Sequence, residues 1–259
     1  MTNNIKIPIS RWNGFKTIIS SDELARESLL ILNYNGEVLT RLLGTPDDGH
    51  ELFLGHLVSE GYTKLSDFNY LEKFESNIDE LGVHELILEG PKIKDEMFDS
   101  KRIIKSSCGA CDADGLEELI HDLPILEKDL REIDFNKLNM SLDLMKSEQK
   151  GFKSTGGMHA AGLIDYDYNL LQVKEDIGRH NAVDKVIGAA LLNEIDISDS
   201  ILLLSGRCGW DIVAKACRSN IRTIVSIGAC SSLAASTARK SGLRIFSFVK
   251  PDNAVIIGN

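Results

Sequence analysis

The second half of the 259-residue chain alternates apolar strands with helices, and this alternation restricts the fold more than any other feature. The predicted strands read MHAAGLI, LLQVKED, SILLLSG, TIVSIG and LRIFSFV, and the predicted helices read HNAVDKVIGAALL, WDIVAKACRS and SLAASTARKS. Strands that are apolar along nearly their whole length are typical of a parallel sheet with both faces buried. The pattern therefore predicts an α/β fold in which helices cover a mostly parallel sheet.

The first half predicts a smaller α+β portion. In Leu29–Gly44 two apolar runs flank Asn35-Gly36, a dipeptide that favours a hairpin with a type I′ turn. Residues 45–48 predict a turn and a helix N-cap, followed by the helix HELFLGHLVSEG, which ends at Gly61. Further elements are predicted as strands at 83–88 and 101–106 and as helices at 112–123 and 136–149. The chain is thus divided into an irregular lead-in at 1–28, an α+β portion at 29–148 and an α/β portion at 149–259.

Composition argues against two classes of function. The formal net charge of −10 does not suit a nucleic-acid binder, which needs a basic surface to displace counterions. No apolar run approaches the ~18 residues of a membrane span, and the first residues lack the apolar core of a secretory signal. The chain has five cysteines, an odd number that fits a reducing compartment better than a set of disulfides. We therefore expect a cytoplasmic protein.

Two cysteines at CxxC spacing, Cys108 and Cys111, follow a predicted strand and precede an acidic helix. Such a pair holds a metal, cycles as a disulfide, or presents one reactive thiolate beside a second thiol. A structural zinc site normally takes four ligands, and no second CxxC or HxxxH pair supplies the other two. Gly109 gives the loop the freedom that a thiol moving between a donor and an acceptor needs. We interpret the pair as a reactive site without a tightly bound metal; the alternative is a pair of incidental buried thiols.

Two glycine–arginine turns at strand-to-helix junctions predict an anion site. Arg179 and His180 stand at the start of a helix, and Arg207 follows Ser205-Gly206 at the carboxyl end of an apolar strand. Ligands of open α/β sheets bind at that end of the strands. Helix N-termini and guanidinium groups both attract phosphate, and the backbone of the TGG turn at 155–157 can approach one.

Structural alternatives exist for the same residues. Arg179 could pair with Glu175 or Asp184 instead of a ligand, and His180 could cap its helix. A histidine within an apolar strand, such as His159, is more often a core residue than a catalyst. The remaining cysteines fall in or beside regular elements and are interpreted as inert small apolar residues: Cys208, Cys217 and Cys230.

Five motifs resemble the FdhD family, and the resemblance covers the chain from about Leu29 onward. They are SSCGACD, TGGMHAAGL, EDIGRHNAVDKVIGAAL, SGRCGWDIVAKACRSNI and SLAASTARKSGLRIFSFVK. The resemblance implies a cytidine-deaminase-like fold, which is a three-layer mixed sheet with helices on both faces, together with a smaller N-terminal hairpin and helix subdomain. It also implies a homodimer.

The activity that this resemblance implies is sulfur transfer. A cysteine desulfurase would donate sulfur as a persulfide to Cys108, with Cys111 as helper, and the acceptor would be the molybdenum or tungsten bis-molybdopterin guanine dinucleotide cofactor of a formate dehydrogenase. The expected partners are the desulfurase, the dehydrogenase catalytic subunit and the guanine nucleotide part of the cofactor. The residues expected to hold this cofactor are Thr155, Gly156, Gly157, His159, Arg179, His180, Asn181, Ser205, Gly206, Arg207, Phe248, Val249, Lys250, Pro251, Asp252 and Asn253.

The last of these segments departs from the family pattern. The family often has glycines and basic residues after the aromatic residue, whereas residues 248–253 read FVKPDN, and only Lys250 is basic. The expectation of cofactor binding is therefore weaker here than at the cysteine loop.

Three other functions remain open at this point. A chaperone would bind the cofactor or the dehydrogenase without handling sulfur, and a dithiol oxidoreductase would cycle Cys108 with Cys111. A zinc-dependent deaminase would share the implied fold, but such enzymes need H-x-E and P-C-x-x-C motifs. Here Ser107 precedes the cysteine pair in place of proline.

Overall fold

The computed structural model describes residues 4–65, 73–93 and 123–258. The strand predicted at 101–106, the loop from Cys108 to Cys111 and the helix predicted at 112–123, apart from Leu123, lie outside the described residues. Every structural statement below concerns the described ranges.

The chain begins with an antiparallel hairpin of β1 (Asn4–Trp12) and β2 (Thr17–Ala25). The sequence analysis predicted an irregular lead-in over these residues, and that prediction is wrong for 4–25. Apolar residues alternate with other residues along NIKIPIS, which is the period of a strand, and Asn13 accepts two backbone hydrogen bonds that close the turn. The side chain of Asn4 joins the hairpin to the rest of the chain through a 2.6 Å hydrogen bond to Ser154.

A four-stranded sheet follows, with the order β4-β3-β6-β5. Its strands are β3 (Ser28–Tyr34), β4 (Glu37–Gly44), β5 (Lys73–Ile78) and β6 (His84–Glu89), and α1 (Gly49–Ser59) packs its apolar side chains on them. Asn35 and Gly36 have φ of 52° and 86°, which confirms the predicted two-residue turn with left-handed backbone. The predicted side-chain N-cap is wrong, because the Asp48 carboxylate makes no cap bond and lies 2.9 Å from the amine of Lys174.

The second half contains the predicted alternation of strands and helices. Its elements are α2 (Phe135–Glu148), α3 (Lys150–Thr155), β7 (His159–Ile164), β8 (Leu170–Asp176), α4 (Arg179–Leu192), a 3-10 turn (Ile197–Asp199), β9 (Ile201–Leu204), α5 (Trp210–Arg218), β10 (Thr223–Ser226), α6 (Ser232–Ser241), β11 (Arg244–Lys250) and β12 (Asn253–Ile257). Side chains fix two of the helix starts, since Asp134 accepts backbone N–H bonds at α2 and Ser231 accepts one at α6.

Six of these strands form one sheet in the order β12-β11-β10-β9-β7-β8. Only the pairings of β9 with β10 and of β10 with β11 are parallel, so the sheet is mixed and the prediction of a mostly parallel sheet is wrong. The cause is chain connectivity, because β7 with β8 and β11 with β12 are joined by short turns that require antiparallel pairing.

Helices cover both faces of this sheet. Leu202, Leu204 and Ile224 pack with α4, α5 and α6 on one face, while Leu203 and Val225 pack with α2 on the other. Consecutive strand residues point to opposite faces, so both faces of these short strands are buried. The three layers that the family resemblance implied are present; the likeness to cytidine deaminases and the divisions at residues 28 and 148 stay predictions.

Helix α1, which packs on the four-stranded sheet, and helix α4, which packs on the six-stranded sheet, cross at close range. A Cβ atom on Gly55 of α1 would overlap the carbonyl group of Asp184 on α4, and one on Gly188 of α4 would overlap the carbonyl oxygen of Glu51 on α1. Glycine at both positions therefore permits the contact that fixes the N-terminal sheet against the six-stranded sheet. Within the described ranges, no helix has the length and apolar character needed to cross a bilayer.

Candidate functional site

Two neighbouring turns form the centre of the candidate site at the carboxyl ends of the parallel strands β9 and β10. Residues 205–209 join β9 to α5, and residues 227–231 join β10 to α6. The Ser226 hydroxyl donates a 2.6 Å hydrogen bond to the carbonyl oxygen of Gly206. A Cβ atom on Gly228 would lie only 3.1 Å from the backbone of Gly206, so the missing side chain allows the two turns to meet. In α/β proteins this edge of the sheet binds ligands.

His159 brings a third segment to the same edge. It is the first residue of β7, which pairs with β9 in antiparallel orientation. The Ser205 hydroxyl accepts a 2.7 Å hydrogen bond from the N–H of Ala160 and holds the strand to the turn. A Cβ atom on Gly206 would lie 3.3 Å from Nδ1 of His159, so the imidazole lies directly against that glycine. His159 is half-buried at the site, and its interpretation as a core histidine is wrong.

Arg179 and Arg207 both lie close enough to His159 to act on its charge. Burial lowers the pKa of His159 below its ordinary value, and the guanidinium groups of Arg179 and Arg207 lower it further. The imidazole is therefore neutral at neutral pH. Arg207 is exposed and makes no ion pair with any residue in the described ranges. Two cations beside a neutral imidazole form a site that attracts an anion.

Asp211, on the first turn of α5, is the acidic residue that sequence reasoning missed. Its carboxylate contacts Nε2 of His180 and lies 3.6 Å from the guanidinium of Arg179. The expected alternative pairing of Arg179 with Glu175 or Asp184 is therefore wrong. Burial lowers the pKa of His180 to about 4, although Asp211 opposes the shift. The one signal in the sequence was an acidic residue in the first turn of the helix that follows a glycine–arginine turn.

Asn181 has its donors occupied inside the protein. Its amide donates hydrogen bonds of 2.9 Å to the carbonyl oxygen of Leu43 and of 3.0 Å to the carboxylate of Asp176. Asp176 is fully buried and also lies 2.8 Å from the amine of Lys185. A cofactor contact by the amide of Asn181 would require these bonds to break, so the structure gives Asn181 a supporting role.

A cleft of about 520 Å³ opens beside the two turns. This volume lies within the range of small-molecule sites, which is roughly 300–1,000 Å³. Several predicted residues line it together: Gly156, Gly157, His159, Ser205 and Val249. Residues that the sequence did not single out complete the walls, among them Gln149, Phe152, Met158 and Ile227. Thr155 ends α3 and donates its hydroxyl to Gly151, so its side chain supports the turn.

The segment at 248–253 reaches the cleft through one residue. Val249 is buried and lines the cleft, whereas Phe248 and Lys250 are exposed. Phe248 has φ of 54°, which is rare for an aromatic residue, and the pairing of β11 with β12 shifts between Ser247 and Lys250. Pro251, Asp252 and Asn253 are exposed at the hairpin turn. Irregular strand pairing of this kind is over-represented next to functional sites.

The cysteine loop itself, with Cys108 and Cys111, lies outside the described residues. Its position relative to the cleft stays a prediction. The described site therefore consists of a cleft lined in part by His159, with two arginines whose charges act on that histidine. Such a group of cations attracts an anion.

The fold and the site together define an α/β protein with two glycine–arginine turns at the carboxyl edge of a mixed sheet. The chain belongs to the FdhD/NarQ family, whose profile matches residues 25–258.

Similar proteins agree with this membership. The sulfur carrier protein FdhD of Corynebacterium efficiens is 32% identical over 271 residues, which cover 96% of this chain and 95% of that protein. The protein of the same name from Xanthomonas axonopodis pv. citri is 30% identical over 250 residues, covering 96% and 88%. The crystal structure of a candidate formate dehydrogenase accessory protein from Desulfotalea psychrophila has the same fold. It aligns with a TM-score of 0.77 over 100% of this chain and 98% of that one, at 22% identity.

Proposed function

We propose that the chain is a sulfurtransferase that carries sulfur as a persulfide on Cys108. It takes the sulfur from a cysteine desulfurase and delivers it to the molybdenum or tungsten bis-molybdopterin guanine dinucleotide cofactor of a formate dehydrogenase. The observation that carries the proposal is the family match over residues 25–258, joined by relatives named sulfur carrier protein that align over most of their length.

The loading step is a thiol exchange at sulfur. The thiolate of Cys108 attacks the terminal sulfur of the desulfurase persulfide, a new S–S bond forms, and the donor cysteine leaves as a thiolate. The sulfur stays in the sulfane state, so no external oxidant or reductant is needed. Cys111 assists as the neighbouring thiol. The persulfide on Cys108 is then presented to the acceptor.

The acceptor is the substrate of the second step, and the arginine site is our candidate for holding it. A protein with a net charge of −10 needs a local group of cations to bind a dinucleotide, and Arg179 with Arg207 supplies one. The neutral His159, on which both arginines act, can donate or accept a hydrogen bond. The adjoining cleft, with Phe152 and Val249 in its walls, has the size and apolar surface that suit the guanine base.

A homodimer and a reducing compartment complete the proposal. The β1–β2 hairpin exposes Trp12, Phe15 and Ile19, whose relative exposures are 71%, 96% and 88%. Large exposed apolar side chains commonly mark a protein interface, and we assign this one to a second copy of the chain. Light scattering after size exclusion should give the mass of a dimer, and a monomer would contradict this part.

We place the protein in the cytoplasm, where free thiols such as Cys217 persist.

Mass spectrometry after incubation with a cysteine desulfurase and cysteine tests the loading step. We expect one extra sulfur atom on the peptide that contains Cys108, and none there in Cys108→Ala. Cys217→Ala is the matched control, because Cys217 is buried in α5, and it should load like the wild type.

The same set of variants separates the other functions. A cofactor chaperone predicts that Cys108→Ala still supports an active formate dehydrogenase in cells. A dithiol oxidoreductase predicts that Cys111→Ala is as damaging as Cys108→Ala and that neither cysteine gains sulfur. A zinc-dependent deaminase predicts stoichiometric zinc in the purified protein. Any of these results, with no sulfur on Cys108, would overturn the proposal.

A further inference from the structure

Cys208 and Cys230 lie opposite each other on the two turns of the site. They form an isolated parallel β-bridge beyond the ends of β9 and β10. The N–H of Cys208 donates a 2.9 Å bond to the carbonyl oxygen of Ala229, and the N–H of Ser231 donates a 3.1 Å bond to the carbonyl oxygen of Cys208. Bridged residues of neighbouring strands have Cα atoms roughly 5 Å apart, and disulfides join Cα atoms about 4.4–6.8 Å apart. The backbone thus holds the two cysteines at a spacing that a disulfide can close.

The two thiols are not equivalent. Cys208 is 1% exposed, whereas Cys230 is half-buried and comes directly before Ser231, the N-cap of α6. The adjacent Cys208 thiol lowers the pKa of Cys230, and Arg239 lowers it further against the opposing effect of burial. The neighbouring Cys230 thiol and burial both raise the pKa of Cys208. Cys230 is therefore the better nucleophile, and Cys208 is a thiol held next to it.

Two other interpretations of the pair fit less well. Inert apolar cysteines, as the sequence analysis predicted, need no bridge that places them opposite each other and no half-exposed partner. A metal site would need further ligands, and in the described part of the chain no three His, Cys, Asp or Glu side chains gather to hold one. Cys217 shows the inert case, because burial raises its pKa to about 11 and its thiol bonds only to Ser241 in the described structure.

We infer that Cys208 and Cys230 form a second redox-active thiol pair, which closes to a disulfide between the two turns of the site when a hydroperoxide reacts with Cys230. In the first step the Cys230 sulfur attacks the peroxide O–O bond, giving a sulfenic acid and an alcohol or water. In the second step the Cys208 sulfur attacks the Cys230 sulfur, an S–S bond forms, and the hydroxyl group leaves as water with the Cys208 proton. The two thiols are oxidised by two electrons and the peroxide is reduced by two.

The Cys208–Cys230 disulfide would covalently link the turns that carry Arg207 and Gly228. Arg207 directly precedes Cys208, so the disulfide is expected to restrict the backbone that presents this guanidinium to an anion. This consequence for the acceptor site rests on the proposed function; the disulfide itself does not.

Peptide mapping of the full-length protein under non-reducing conditions tests the inference. The fully reduced protein is treated with a hydroperoxide at low excess, the remaining thiols are alkylated, and the digest is analysed with and without a reductant. We expect a Cys208–Cys230 cross-linked peptide that disappears on reduction. The same peptide should form in Cys108→Ser/Cys111→Ser, which lacks the other thiol pair, and in Cys217→Ser.

Substituting each cysteine of the pair alone tests which thiol reacts with the peroxide and which one closes the disulfide. In Cys208→Ser the sulfenic acid on Cys230 should persist and be trapped by dimedone, and in Cys230→Ser no oxidation of Cys208 should occur. The inference is overturned if both thiols are fully alkylated after peroxide treatment that oxidises Cys108 or Cys111, or if Cys230 is trapped equally in the wild type and in Cys208→Ser. Each of these results is distinct from a failure of sulfur loading on Cys108.

Discussion

Helix α4 carries two groups of charge that differ in how they are partnered. In its middle, Asp184 is 1% exposed and accepts hydrogen bonds of 2.7 Å from Lys215 and 2.6 Å from Ser59. At its first residue, Arg179 is partly exposed, and its nearest acidic group in the described chain, Asp211, is 3.6 Å away. The buried group is thus closely paired, whereas the group at the helix start has one longer ion pair and is partly open to solvent.

The energetics of the two groups follow from this difference. Burial alone would raise the pKa of Asp184, but Lys215 and His56 outweigh it and hold the pKa below its ordinary value. Lys215 also lies 2.6 Å from Glu60, so the cation has two carboxylate partners. Charges arranged in this way hold α1, α4 and α5 together. Arg179 and Arg207 contribute little to folding by comparison, and their charge is available to a ligand. Whether a charged side chain has buried ion-pair partners, more than its residue type, thus indicates whether it serves folding or is free to bind a ligand.

The strongest test of the buried group is Lys215→Ala. It leaves Asp184 and Glu60 as buried carboxylates without their shared cation, and removing one partner of a buried ion pair costs about 3–5 kcal/mol. Urea denaturation should report a loss of that size in the free energy of unfolding. Lys240→Ala, an exposed residue of α6, should change it by less than about 0.5 kcal/mol. Equal effects in the two variants would erase the distinction.

The helix crossing that shelters the buried group predicts a second effect. In Gly188→Ala the new Cβ atom would overlap the carbonyl oxygen of Glu51, so α1 and α4 must move apart. We expect a loss of roughly 2–3 kcal/mol in the free energy of unfolding, despite the better helix propensity of alanine. In Gly157→Ala the nearest atoms lie 3.8 Å from the new Cβ, so this control should stay near the wild type. A neutral or stabilising Gly188→Ala would show that the helices are not in close contact.

His180 stands between the two groups and predicts a pH dependence. Its pKa is about 4 in the folded protein and near 6.5 in an unfolded chain, so the folded state binds fewer protons between these values. The stability that this residue contributes is therefore present above about pH 6.5 and is lost as the pH falls toward 4.

Denaturation at pH 7.5 and at pH 5 measures this dependence in the wild type and in His180→Gln. Glutamine does not titrate, so the variant should lose roughly 1–2 kcal/mol less between the two pH values. The other titrating groups remain in both proteins, so the difference reports His180. Identical losses would mean that folding does not lower the pKa of His180.

Arg207→Ala tests the exposed group and should have the smallest effect on folding. Because no described residue pairs with Arg207, the free energy of unfolding should change by less than about 0.5 kcal/mol. The affinity for GDP, used as a probe of the guanine nucleotide, should fall about tenfold in titration calorimetry. Lys240→Ala should bind GDP like the wild type. A destabilised variant with unchanged affinity would reverse the roles assigned to the two groups.

The sequence predicted the strands and helices of the second half well, because the patterns that specify a strand and a helix are both local. Apolar runs such as ILLL and amphipathic runs such as WDIVAKA specify a strand or a helix through nearest neighbours. The same holds for the turn at Asn35 and Gly36, where the residue types favour left-handed backbone.

The errors concern partners that are distant along the chain. Strand patterns show which face is buried but not which neighbour is paired, so the alternation alone predicted a mostly parallel sheet. The mixed sheet was implied only by the family resemblance. For the same reason Arg179 was matched to nearby Glu175 or Asp184 instead of Asp211. Cys208 and Cys230 were interpreted as inert because nothing in a single sequence shows that their turns meet. A motif marked some of the residues around the cleft, and these were predicted. Residues that only packing brings to the cleft, such as Phe152 and Ile227, were missed.

The most direct test of the account is sulfur delivery by Arg179→Ala/Arg207→Ala. The double variant is first loaded by a cysteine desulfurase, and formate dehydrogenase activity is then measured in cells in which it replaces the wild type. We predict that Cys108 gains one sulfur atom as in the wild type while dehydrogenase activity is lost, because the acceptor no longer binds. Full dehydrogenase activity with the double variant would contradict the assignment of the arginine site to the acceptor.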